Sequence, residues 1–258
     1  MAPSPESGDG AGGARRGARP EEPARAREDG ELAPLPNVYA RQLTPLEIAA
    51  GAHRDFVGGL WDVAGRPQLD FLVAQGLRPR MRVLDLGCGC LRGGLHLVAF
   101  LDPGRYYGVD VNASLLAAGR LEVEMAGLAD RLPPANLLRN GALEGWRFGV
   151  DFDVVLAHSL FTHLPPPWLR RGLGEMERCV PQGGRFFATY FEWPEGWPAE
   201  EPLEHPLGGI VSYSDRDPFH YRVEDLRRCA AGLPWELEVI GEWGHPRDQR
   251  MALFTRIR

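Results

Sequence analysis

A chain of 258 residues with 44% hydrophobic content can bury one sizeable core, so one folded domain is the expectation. Its formal net charge of −6 argues against broad phosphate-backbone binding, because nonspecific nucleic-acid affinity comes from many cationic side chains. All 29 basic residues are arginine, which excludes a P-loop and any chemistry that needs a lysine amine. No apolar run reaches the roughly 18 residues a membrane helix needs, and the start of the chain lacks the apolar core of a secretory signal; a cytoplasmic protein is expected. Cys88 and Cys90 are too close to pair comfortably, and Cys179 and Cys229 stand alone. Neither disulfides nor a structural metal site are expected.

Residues 1–36 are rich in Pro, Gly, Ala, Arg and Glu and read as a disordered tail, since they bury too little to offset their ordering entropy. The folded domain is expected over 37–258. Thr44, Pro45 and Glu47 mark a helix start, with apolar Leu46, Ile48, Ala49 and Ala52 following. A second helix is expected over 68–75, closed by Gly76, so that 37–80 forms an N-terminal helical cap. Strands are then expected at 82–86, 106–110, 136–139, 152–157, 185–191, 235–242 and 250–257. Helices at about 91–101, 113–126, 167–180 and 223–231 lie between them. This alternation predicts a doubly wound α/β sheet. The connection 141–151 is too short for a full crossover helix. The last two strands are joined by only 243–249, so they should form an antiparallel hairpin, unlike the parallel sixth strand of a dinucleotide-binding sheet.

The most informative stretch is MRVLDLGCGCLRGGLHLVAFLDPGRYYGVDVN, from Met81. It reads as strand, glycine turn, helix, strand and terminal acid. Gly87 and Gly89 let backbone pass close to a ligand, and Asp110, 21 residues after Gly89, stands where an acid accepts from ribose hydroxyls. Asp85 sits two residues before Gly87, where a carboxylate would repel a pyrophosphate but attract a cationic ligand. Asp85 as a turn cap and Asp110 as the start of the next helix are the plainer readings. Arg92 opens the following helix against its dipole, which suggests a carboxylate partner from a ligand or simple surface exposure.

The run Asp85-Leu86-Gly87-Cys88-Gly89 resembles the D-x-G-x-G motif of the class I S-adenosylmethionine-dependent methyltransferases. The resemblance extends from about residue 41 to the C-terminus. It implies a Rossmann-like, mostly parallel seven-stranded sheet of order 3-2-1-4-5-7-6. It further implies Asp85 near the methionine amino group, Gly87 and Gly89 under the methionine and ribose, Asp110 on the ribose hydroxyls and Val111 against adenine. Asn140 is the candidate for the adenine amine. The stretch FDVVLAHSLFTHL resembles the strand that lines the transfer pocket, with Ala157 and His158 contributing backbone.

Methyl transfer from a sulfonium needs positioning above all, and a base only where the acceptor must lose a proton. His163 is the first candidate base and His220 the second; a structural or exposed histidine is the alternative for each. The insertion 192–221 is long for a connector and reads as a lid or substrate-binding element. Trp193, Tyr213, Asp215 and Tyr221 are its candidate substrate contacts, with Phe219 and Asp217 nearby; an aromatic plug over the sheet edge is the competing reading. The segment from His53 to Trp61, with Phe56, Gly58 and Gly59, is expected to close the other side of the cofactor. A small-molecule acceptor is expected, without nucleic acid or membrane. A nicotinamide-dependent oxidoreductase and a non-catalytic S-adenosylmethionine-binding protein are the alternatives.

Overall fold

The four residues of β1 (Val83–Leu86) are all buried, as expected of a central strand covered on both faces. It pairs in parallel with β2 (Tyr106–Asp110) and β4 (Val154–Ala157). β3 (Leu137–Arg139) extends the sheet beyond β2, and β5 (Arg185–Glu192) beyond β4. β10 (Arg250–Arg256) lies antiparallel between β5 and β9 (Trp235–Gly241). The order is therefore β3-β2-β1-β4-β5-β10-β9, which is the expected arrangement with its terminal hairpin. The computed structural model describes residues 38–198 and 201–258; the expected tail over 1–36 lies outside the described residues.

Alternation along the strands sends side chains to two layers. On one face Val83, Leu156, Phe187 and Leu253 pack with Leu72 of α4 (Arg66–Ala74), Leu97 of α5 (Gly94–Phe100) and Leu116 and Val123 of α6 (Ala113–Met125). On the other, Leu84 lies near Met176 of α7 (Pro166–Met176), and the Trp235 indole donates to Leu173 O at 3.1 Å. α8 (Val223–Ala230) completes the helices after the insertion.

Local chemistry sets the boundaries. α1 (Pro45–Ala49) carries a full capping box, Thr44 with Glu47, and proline in its first turn, so the expected start is present. Its apolar residues divide, however: Ile48 packs against the cluster of Leu43, Cys90, Leu115 and Ala118, whereas Leu46 is 83% exposed. α5 begins at Gly94 rather than at 91, because Leu91 has φ 64°, a left-handed conformation that cannot belong to the helix. Two short helices, α2 (Ala52–Phe56) and α3 (Trp61–Ala64), and the strands β6 (Leu203–Glu204), β7 (Val211–Ser212) and β8 (His220–Tyr221) were not expected. β8 pairs in parallel with Phe191 and Glu192 of β5, past the last residue that β4 reaches.

Candidate active site

The glycine turn is pinned to the end of β2. Gly87 N and Cys88 N both donate to Val109 O, at 2.8 and 3.1 Å, and Gly89 N donates to Asp110 Oδ2 at 2.8 Å. Gly87 and Gly89 have φ values of 72° and 54°, so both need the freedom of glycine. Asp110 Oδ1 accepts from Asn112 N at 2.8 Å. Burial raises the Asp110 carboxyl above its ordinary value, while the N–H groups of Asn112, Gly89 and Val111 pull the other way.

Asp85 is 4% exposed and accepts a hydrogen bond from the Tyr106 hydroxyl at 2.8 Å. That contact depends on Gly94, where an added Cβ would stand 2.3 Å from the hydroxyl. Burial pushes the Asp85 carboxyl up to about 7; Tyr106 lowers it and the charge of Asp110 adds to the rise. Among the described residues no cationic side chain forms an ion pair with it. A buried carboxyl in this condition favours a cationic ligand.

Val111, next to Asp110, is 48% exposed and faces Gly141, where an added Cβ would stand 3.3 Å from Val111 Cγ2. Asn140 N donates to Asp110 O at 2.9 Å. The Asn140 side chain is committed locally: its Oδ1 accepts from Ala142 N at 2.8 Å and its amide donates to Glu144 Oε2 at 2.9 Å. The backbone of 140–142 therefore adjoins Val111 more directly than the Asn140 amide does. Above the turn, Leu160 Cδ1 would be 2.9 Å from a Cβ on Gly87, and Val57 Cγ1 would be 3.5 Å from one on Gly89. The segment from His53 to Trp61 thus reaches the glycine turn through Val57, with Phe56 packed on the cluster that includes Cys90.

At the end of β4, Ala157 and the following His158 are buried, and Ser159 has φ 56°. Ser159 N donates to Thr189 Oγ1 at 2.7 Å, and both hydroxyls donate to Gln249 Oε1, at 3.0 and 2.6 Å. His158 Nε2 is buried without a partner. Burial holds this imidazole well below its ordinary pKa, with His245 and Arg92 adding to the effect. Five residues after His158, His163 Nδ1 lies 2.6 Å from Asp217 Oδ1, and its Nε2 lies 3.4 Å from the Tyr39 hydroxyl. The carboxylate accepts the Nδ1 proton, which leaves Nε2 as the basic nitrogen. Tyr39 O accepts from Asn112 Nδ2 at 2.8 Å, so this tyrosine joins the segment after Asp110 to the histidine. Burial and the charge of Asp217 raise the Tyr39 hydroxyl, opposed by Arg92 and Arg247.

The other candidates of the insertion fall differently. His220 is 3% exposed; its Nδ1 meets Ser212 Oγ at 3.0 Å, and Ser212 Oγ meets His205 Nε2 at 2.8 Å. Trp193 packs on His220 with ring centroids 4.6 Å apart and lies under the Arg222 guanidinium. Tyr221 is fully buried and donates to Leu164 O. Trp193 and Tyr221 are thus packed among protein groups, the arrangement of the aromatic plug, with Tyr221 reaching Leu164 outside the insertion. The His220 ring is engaged by Ser212, while the backbone beside it reaches the residue before His163, Phe219 N donating to Thr162 O at 2.7 Å. Tyr213 is half-buried beneath Arg216, and Asp215 is exposed. Sequence reasoning missed Tyr39, His245, Arg247 and Gln249. The last three lie in a segment legible only as a hairpin turn.

An acid-terminated βαβ unit with this glycine turn, in a sheet closed by an antiparallel hairpin, defines a Rossmann-like nucleoside-binding enzyme of the methyltransferase type. Comparison with known proteins agrees. The chain matches the family described as methyltransferase domain over residues 83–184. It is 30% identical over 171 residues to a protein-L-isoaspartate O-methyltransferase of Methylorubrum populi, covering 63% of this chain and 77% of that protein. It is 29% identical over 105 residues to the probable methyltransferase ltbC of Aspergillus luteorubrus, covering 40% of this chain and only 37% of that one. A crystal structure of an S-adenosylmethionine-dependent methyltransferase from Clostridium acetobutylicum shares the fold, with TM-score 0.60 and 12% identity over 83% of this chain and all of that one (100%). The chain belongs to the class I S-adenosylmethionine-dependent methyltransferases, and its cofactor is S-adenosylmethionine. The nicotinamide-dependent alternative is not supported. Among the described residues no helix is long and apolar enough to cross a membrane.

Proposed function

We propose that this enzyme methylates a hydroxyl or amino group of a small molecule, with His163 as the base that takes the acceptor's proton. The observation that carries this reading is the Asp217–His163 pair at 2.6 Å, just past the strand end where family members line the transfer pocket. Asp217 acts as a positioning residue, holding the tautomer that leaves Nε2 basic. Tyr39 stands beside that nitrogen, where an acceptor hydroxyl would meet it.

The residues present fit the cofactor. Asp85, a buried carboxyl with no ion-paired cation among the described residues, suits the methionine ammonium. Gly87 and Gly89 suit close passage of the methionine and ribose, Asp110 the ribose hydroxyls, and exposed Val111 with the 140–142 backbone the adenine. Ala157 and His158 would line the methyl end through their backbone. When bound, S-adenosylmethionine supplies an electrophilic methyl group on its sulfonium. The chain's own part is to bind, orient and remove a proton; in-line geometry accounts for much of the acceleration.

The cap over 37–80 and the insertion over 192–221 are read as the two walls of the acceptor pocket. The insertion acts through Asp217 and Tyr213, and Asp215 at its exposed rim is available to a polar acceptor. The test is S-adenosylhomocysteine release across a panel of small hydroxylated and amino compounds. A responsive acceptor should lose turnover with His163→Ala while cofactor affinity is retained. Undiminished turnover in that variant would refute the base.

A further inference from the structure

Two guanidinium groups converge on one three-residue stretch. Arg92 Nη1 donates to Gly59 O at 2.6 Å and to Val57 O at 3.3 Å, and Arg247 Nη2 donates to Gly58 O between them. The turn is built for this approach: Gly58, Gly59 and Leu60 all have positive φ, at 89°, 63° and 52°. A Cβ on Gly58 would stand 2.7 Å from Arg247 Nη1, and one on Gly208 would stand 2.9 Å from Arg247 Cγ. Arg247 therefore lies in a slot that two glycines keep open. Both arginines are only partly exposed.

Neither arginine has a carboxylate within ion-pair distance among the described residues, although the chain holds 35 acidic residues against 29 basic ones. The nearest acids are taken up elsewhere or stand off: Asp248, next to Arg247, lies 3.6 Å from Arg250, and Asp55 Oδ1 stands 4.0 Å from where a Cβ on Gly59 would be without pairing with either arginine. His245 is 5% exposed and accepts from Arg247 N through Nδ1 at 3.1 Å. Its ring lies 5.0 Å from that of His158, whose Nε2 is the buried nitrogen without a partner. Burial, Arg92 and Arg247 hold His245 down to about 3, so it adds no charge to the pair. Two half-buried guanidiniums held together without a counterion are costly, and an anionic ligand would offset that cost.

Resting on the reading of the site as a methyltransferase pocket, we propose that Arg92 and Arg247 bind an anionic oxygen group of the acceptor, a carboxylate or phosphate. Planar forks suit such groups in bidentate geometry. The position favours the acceptor over the cofactor's own carboxylate. Arg247 lies on the β9–β10 connection and His158 at the end of β4, both on the opposite side of β1 from Asp110. The groups that act on Asp85 are Tyr106 and Asp110, with no arginine among them, whereas Arg92 acts on Tyr39, His158 and His245.

The experiment uses the full chain saturated with S-adenosylhomocysteine, titrated with inorganic phosphate and with acetate and followed by NMR. Saturable binding of either anion is expected, weakened about tenfold or more in Arg247→Gln and less in Arg247→Lys, which keeps the charge but loses the fork. Melting curves of each variant, and Arg92→Gln as a second variant, separate lost binding from lost folding. S-adenosylhomocysteine and 5′-methylthioadenosine, which lacks the carboxylate, are titrated in parallel. Loss of affinity confined to S-adenosylhomocysteine in the Arg247 variants would assign the pair to the cofactor and overturn the proposal. Anion binding that is unsaturable, or unchanged in the folded variants, would also overturn it. Failure of wild-type protein to bind S-adenosylhomocysteine would instead count against the methyltransferase pocket itself.

Discussion

The buried Asp85 carboxyl should make cofactor binding strongly pH-dependent. In the ligand-free protein its pKa is raised from the ordinary aspartate value of 3.8 to about 7, so the charged form is the disfavoured one. The stability that the neutral carboxyl contributes is fully present below the ordinary value and is lost as pH rises through about 7. At pH 8 the ionised group costs the ligand-free fold about 4 kcal/mol at most. A bound ammonium reverses the preference, since it requires the carboxylate. Affinity for S-adenosylhomocysteine should therefore climb about tenfold per pH unit toward neutrality and level off above about 7. Between pH 5 and pH 8 that amounts to about 2.7 kcal/mol. Calorimetric titration at half-unit steps from pH 5 to 8.5 measures it. Asp85→Asn should bind weakly, lose the slope, and raise the melting temperature of the ligand-free protein at pH 8. A flat profile in the wild type, or an unchanged slope in Asp85→Asn, would refute the reasoning.

Four further outcomes are expected. His163→Ala should lower kcat by about 10²–10⁴-fold with little change in cofactor affinity. Asp217→Asn should lower it less and alter the pH profile, both read by steady-state kinetics once an acceptor is known. Glu122, 4% exposed, accepts from His53 at 2.6 Å and from Arg54 at 2.7 Å through both oxygens, so Glu122→Ala should cost about 2–4 kcal/mol in urea unfolding, chiefly by stranding the buried His53 donor. Gly93→Ala should cost about 1–3 kcal/mol in the same assay, because its Cβ would stand 2.1 Å from Gln68 Oε1, whose amide is anchored on Ala64 O at 2.9 Å.

The strands and the cofactor side of the site were legible because their signals are local. Asp85, Gly87, Gly89 and Asp110 lie in one βαβ unit, and turn chemistry and strand period specify that unit without distant partners. The seven residues between the last two strands told their direction. The short helices α2 and α3 gave no such signal, since glycine or left-handed leucine precedes them in place of a capping side chain. The acceptor side was legible only in part. His163 could be suspected from its place after β4, yet its partners Tyr39 and Asp217 lie 124 and 54 residues away along the chain. Arg92 betrayed itself by opposing a helix dipole, but nothing local linked it to Arg247. Trp193 and Tyr221 could not be placed from sequence, because aromatic composition does not distinguish a pocket wall from a plug; the hydrogen bond from Tyr221 to Leu164 and the tilted contact of Trp193 with His220 are long-range features.

The most direct test of the account is a crystal structure of the full chain with S-adenosylhomocysteine. The account predicts the ribose hydroxyls on Asp110, the amino group at Asp85, adenine against Val111, and the sulfur end open toward His158 and His163. A ligand bound away from the Gly87–Gly89 turn, or one whose amino group avoids Asp85, would contradict it.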